Sequence, residues 1–131
     1  MSKSLKEVVD LEKRLLSQVF SGPASILVAL RGFMNQAINC YATTSPEHTI
    51  KLLVRMAAHI EAHFEAIDEK VLPALRSDIV SLPQGMLLLD KAIRHGEEAI
   101  SRGGVGDAKG HVMNALGILI TILVRSGEYT Q

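Results

Sequence analysis

The sequence predicts an all-α fold: a bundle of about five helices with an apolar C-terminal central helix. Three observations carry that expectation. Apolar residues recur three and four apart along most of the chain, the spacing that lines one face of an α-helix. No segment alternates apolar and polar residues with period two, so no sheet is expected. The stretch 105–124, VGDAKGHVMNALGILITILV, carries one hydroxyl (Thr121) and no charge from Ala115 onward, and a helix apolar on all sides has to be covered on all sides.

The helices follow in order. Ser4 and Glu7 form a capping box, the Ser hydroxyl accepting from the third helical amide and the carboxylate reaching back to the cap. Behind it Leu5, Val8, Val9, Leu15, Leu16, Val19 and Phe20 recur at helical spacing, and Gly22-Pro23 ends the segment. A second helix is expected over about 24–41, with Pro23 tolerated in its first turn because the missing N–H is unpaired there anyway. Its stripe is Ile26, Leu27, Leu30, Phe33, Met34, Ala37, Ile38 and Tyr41, with Arg31, Asn35 and Asn39 opposite. Cys40 falls on the flank and reads as a small packing residue. Ser45-Pro46-Glu47 starts a third helix with a cap, a proline in the first position and an acid facing the positive end of the dipole. Its stripe runs from Ile50 through Phe64 to Ile67, Val71 and Leu75, and Pro73 predicts a kink or an end within the preceding turn. Ser81 and Gln84 offer a second capping box ahead of a fourth helix over about 84–101, which buries Met86, Leu89, Ala92, Ile93, Ala99 and Ile100. Gly103-Gly104 separates it from the last helix. Asp107 suits the first turn of that helix, and Arg125 and Gly127 suit its end. The polar tail 128–131 is expected to fray.

Composition bounds the function. The chain has 131 residues, 47% of them apolar, and reads as a single domain, 1–131, large enough to bury a core without disulfides. So much apolar helix surface in a small chain favours association, and zero net charge, from 14 basic and 14 acidic residues, does not oppose it. Dispersed charge argues against an electrostatic footprint for nucleic acid, which would need Arg31, Lys51, Arg55 and Arg94 to align across assembled subunits. One cysteine and an N-terminus without an apolar signal core fit a soluble cytoplasmic protein. The uncharged run 112–124 is 13 residues, short of the roughly 20 of a membrane span.

The chemistry-bearing residues are few. Gly104, Gly106 and Gly110 miss the dinucleotide spacing by one residue and follow a helix instead of a strand, so they read as a turn. Serines and threonines sit at caps and loops, and Glu65 and Glu69 read as a solvated face beside Lys70 and Arg76. Asp68 lies about 45° from the centre of the apolar stripe, half-buried and in want of a partner. His59 and His63 are one turn apart, but His59 lies about 135° from the stripe and His63 about 95°, on the flank. An inward metal site therefore has at most His63, His95 and His111 to draw on, with Asp68; the first reading of the histidines is as solvated surface residues.

The segment 63–75, His63-Phe64-Glu65-Ala66-Ile67-Asp68-Glu69-Lys70-Val71-Leu72-Pro73-Ala74-Leu75, resembles the second-helix motif of the hemerythrin-like, His-His-Glu cation-binding domains. That resemblance implies a four-helix bundle holding non-haem iron, with zinc the other candidate, and places His95 where that family has a third-helix histidine. Ile67 stands at the position of the family's acid, with Asp68 beside it. The first helix offers no histidine, and the last lacks the family's closing histidine and acidic pair. A looser similarity, to flagellar export chaperones, rests on Tyr41, Ser45-Pro46 and Lys91-Ala92-Ile93, without matching spacings.

Two functions are therefore expected in order. The first is a non-catalytic helical subunit, not an enzyme and without a cofactor, packing against itself or a larger complex such as a capsid or effector assembly through Leu116, Leu119, Ile120 and Leu123. The second is a hemerythrin-like metal protein using His63, Asp68, His95 and His111.

Overall fold

A computed structural model of the chain describes residues 3–16, 22–43, 46–67, 69, 75–125 and 129–130. The fold is an all-α bundle of five helices, α1 (Leu5–Arg14), α2 (Pro23–Thr43), α3 (Pro46–Ala66), α4 (Leu82–Ser101) and α5 (Val105–Arg125). Ser45, Pro73 and Gly127, expected at helix ends, lie outside the described residues, as do Val19 and Phe20.

Local chemistry sets the ends that are described. The Glu7 amide donates to Ser4 Oγ at 3.5 Å, and the Gln84 amide to Ser81 Oγ at 3.3 Å. The Gln84 carboxamide does not close the expected reciprocal box. It accepts from the Val80 amide at 2.9 Å and donates to the Asp78 carbonyl at 2.7 Å, tying the preceding loop to α4. At the other end of α4, Gly103 adopts φ 76, a left-handed conformation that only glycine takes without cost. The Gly104 amide donates to Ala99 O at 2.8 Å and the Gly103 amide to Ile100 O at 3.0 Å, the paired bonds of a Schellman stop. Gly103 and Gly104 thus end α4, whereas Gly106 and Gly110, read from the sequence as part of the turn, lie within α5.

The expected absence of a sheet needs one correction. Lys3–Ser4 (β1) and Tyr129–Thr130 (β2) pair in parallel, Lys3 opposite Tyr129. Two residues are too few to show a period of two. The pairing brings the two chain ends together, with Tyr129 packed on the core where a fraying tail was expected.

Packing follows the apolar stripes. α4 and α5 make the most extensive pair and α2 and α3 the next, while α5 also contacts α3 and α2. α5 is long and apolar enough to cross a membrane by length and composition alone, but half of that window is buried inside the chain. α3 is as central as α5: it contacts α1, α2 and α5 and buries residues from Thr49 to Phe64. Two glycines let α4 approach its neighbours. A Cβ on Gly85 would lie 2.7 Å from Ile122 Cδ1, and one on Gly96 would lie 2.8 Å from Leu27 Cδ2 and 3.5 Å from His111 Cβ.

The buried polar groups are accounted for. Thr49 and Thr121 are fully buried. The Thr49 hydroxyl donates to Ala37 O at 3.4 Å, joining α3 to α2. The Thr121 hydroxyl donates to Gly117 O at 2.8 Å and accepts from the Arg76 amide at 3.1 Å, pinning the loop before α4 onto α5. Arg76 Nη1 reaches Asn114 Oδ1 at 3.3 Å, and its other nitrogens hold Asp78.

A charged clasp joins α1 to α3. Lys13 lies 2.6 Å from Glu65, 3.1 Å from Asp10 and 3.9 Å from Glu61. Burial raises the Glu61 carboxyl above the usual carboxylate range; the pull of Lys13 opposes it, and the nearby charges of Glu65 and Asp10 add to it. A folded state that favours the protonated acid is helped by it below the unfolded pKa and loses that help as pH rises through the folded one. Glu61→Gln, which keeps the shape and removes the charge, should therefore raise the urea midpoint near pH 7 and leave it little changed near pH 3. An equal shift at both pH values would show that the charge of Glu61 is not the cause.

Candidate functional site

The clearest irregularity lies along α2. Its sequence stripe runs without a break from Ile26 to Tyr41, but burial does not. Ile26, Leu27, Leu30, Met34 and Ala37 are covered, whereas Ile38 and Tyr41 are 45% and 43% exposed. The stripe outruns the helices that should cover it. Ile38 and Tyr41 instead form one wall of an open groove of about 260 Å³, whose other wall is Pro83, Met86 and Leu87 of α4, with Asp90 at its rim. Leu87 is 72% exposed and stands out of this wall into solvent.

The rim is electrostatically closed. Arg31 Nη1 lies 2.6 Å from Asp90, its Nη2 2.8 Å from Glu97, and Arg94 approaches Asp90 at 2.7 Å. Hydrogen bonding to Glu97, together with Asp90 and against the cost of burial, raises the Arg31 pKa, so the guanidinium stays charged. Its fork spans two carboxylates two turns apart on α4 and fixes the α2–α4 spacing that shapes the groove. Arg31 and Arg94, and Arg55 at 3.9 Å from Glu12, are paired within the chain, while Lys51 is exposed on α3.

Of the four residues expected to face a partner, three are enclosed within the chain. Leu116, Leu119 and Leu123 are fully buried by their own chain, and Ile120 is half-buried against the core. α2, α3 and α4 supply the cover that the sequence left open to another subunit. The accessible surface of 7302 Å² is close to the roughly 6,800 Å² of a folded monomer of this mass, although large apolar side chains are exposed on several elements, among them Leu15, Val28, Val80, Leu87 and Val105.

The histidines separate. His63 was expected on the flank but is buried on α3, its ring edge-on to Phe64 at 5.3 Å. His59 sits over Phe33 at 5.0 Å, and its Nδ1 is 2.7 Å from Arg55 O. His95 of α4 and His111 of α5 come together, ring centroids 5.5 Å apart. Asp68 lies outside the described residues, and Ile67 is exposed beyond the end of α3. The expected ligand set is thus not assembled: among the described residues no three His, Cys, Asp or Glu side chains converge as a metal group.

No family model, curated protein or solved structure matches this chain. The resemblance to hemerythrin-like domains therefore rests on residues 63–75 alone, and the functional reading has to come from the site. The sequence signal that could have found it was present: Leu87 interrupts no stripe, yet it sits between Met86 and Leu88 in a run of apolar residues, more than one helix face can bury.

Proposed function

We propose that this chain is a non-catalytic helical subunit that pairs with a second copy of itself across the α2–α4 face. The observation that carries the proposal is the uncovered end of the α2 stripe, Ile38 and Tyr41, facing the projecting Leu87 across the groove. Such a face presents both a knob and a hole, and a two-fold interface needs one patch that complements itself. Leu87 of each copy would enter the groove of the other. Zero net charge and a neutralised rim leave no repulsion to resist the approach.

Leu87→Asp tests it. The side chain is exposed, so the change should leave the chain folded and its helicity intact while placing a charge in a desolvated contact. The variant is expected to sediment as a monomer at concentrations where the natural chain is a dimer. A Leu87→Asp protein with unchanged mass would remove this face as the interface.

A further inference from the structure

We propose that His95 and His111 form a two-histidine chelate for a late divalent transition metal such as Ni²⁺, Cu²⁺ or Zn²⁺, clipping α4 to α5. The two rings come from neighbouring helices, with centroids 5.5 Å apart and planes inclined by 59°. Imidazole nitrogens bind such metals at about 2.0–2.1 Å, which places each ring centroid about 3.2 Å from the ion and separates two centroids by about 5.2 Å at a tetrahedral angle. The observed separation is within a few tenths of an ångström of that value.

Two further observations keep the nitrogens available. Neither ring makes a hydrogen bond to any described residue. No buried side-chain nitrogen among the described residues lacks a partner, so these ring nitrogens reach solvent. The backbone makes the approach possible at Gly96, where the nearest atom of α5 to an added Cβ is His111 Cβ. No third His, Cys, Asp or Glu joins the pair among the described residues, so water would fill the remaining positions. Neutral imidazole donors select late first-row ions over Mg²⁺ or Ca²⁺, which take oxygen ligands. Metal bound only by the native state would stabilise the α4–α5 pair in a concentration-dependent way.

The test is calorimetric titration of Ni²⁺ into the natural chain, His95→Gln, His111→Gln and His59→Gln, each first shown to melt cooperatively. One Ni²⁺ per chain is expected for the natural protein and for His59→Gln, with affinity weakened at least tenfold in each of the other two variants. Thermal unfolding with added Ni²⁺ should show the same division: a raised midpoint for the natural protein, and none for His95→Gln or His111→Gln. The same affinity in the monomeric Leu87→Asp background would separate this site from the dimer. No binding by the natural chain up to about 1 mM Ni²⁺, or equal binding by His95→Gln and His111→Gln, would overturn the proposal.

Discussion

Leu119→Asp is expected to unfold the chain, not to release one folded subunit from another. Leu119 is fully buried on α5, the helix that contacts α2, α3 and α4. An aspartate there has no cationic partner in its own register on α5, whose one basic residue near this end, Arg125, is exposed and nearly two turns away. Losing a buried leucine costs about 2–5 kcal/mol, and burying an unpaired carboxylate adds several kcal/mol more. Domains of this size are stable by about 5–15 kcal/mol, so the sum consumes most or all of it. Far-UV circular dichroism should show the helical signal lost or strongly reduced at room temperature. A folded, fully helical Leu119→Asp monomer would mean that α5 is a subunit-facing helix after all.

The second large effect is that of Gly85→Leu. The new side chain would thrust four carbons into space where even a Cβ lies 2.7 Å from Ile122 Cδ1 and 3.3 Å from Ile79 Cγ2. Overpacking of this kind costs about 1–3 kcal/mol and occasionally more, and here it outweighs the ~1 kcal/mol that a better helix former contributes. Ile122→Ala, costing about 2–5 kcal/mol alone, vacates the volume that the introduced leucine side chain would need. The double variant should therefore be more stable than the sum of the single losses, with a favourable coupling of about 1–3 kcal/mol by urea denaturation. Gly32→Ala is the control: nothing lies within 4 Å of its added Cβ, and it should be neutral or slightly stabilising. Additive losses at Gly85 and Ile122 would show that α4 and α5 do not touch through this pair.

These variants also mark what the sequence disclosed and what it withheld. Helical periodicity, caps and the Gly103 stop are local properties, and they located α2, α4 and α5 to within a few residues; α1 ends at Arg14, well before the Gly22-Pro23 stop read from the sequence, and α3 at Ala66, before the turn that precedes Pro73. The apolar C-terminal helix disclosed its need for cover, but not who supplies it, because one sequence does not distinguish a core rod from a shared one. The structure answers with α2, α3 and α4, and with them goes the assignment of Leu116, Leu119 and Leu123 as an interface. Gly85 and Gly96 were unreadable as packing residues, since their meaning lies in Ile122 and Leu27 on other helices. The β1–β2 pairing was too short to leave a pattern. The wheel placed His63 on a flank, yet α3 is enclosed from more than one side, so a flank position there is interior. For the site, the α2 stripe was legible in full. Its failure to be covered at Ile38 and Tyr41 depends on where α4 ends its reach, which only the tertiary structure displays.

The measurement that bears most directly on the central claim is sedimentation equilibrium of the unmodified chain over a range of concentrations, without added metal. Self-pairing across the α2–α4 face requires a species of twice the 14.2 kDa chain mass, fitting a monomer–dimer equilibrium that Leu87→Asp shifts to monomer. A single species at the chain mass, even at about 100 µM where an interface as weak as about 10⁻⁴ M would still show, would contradict the proposal.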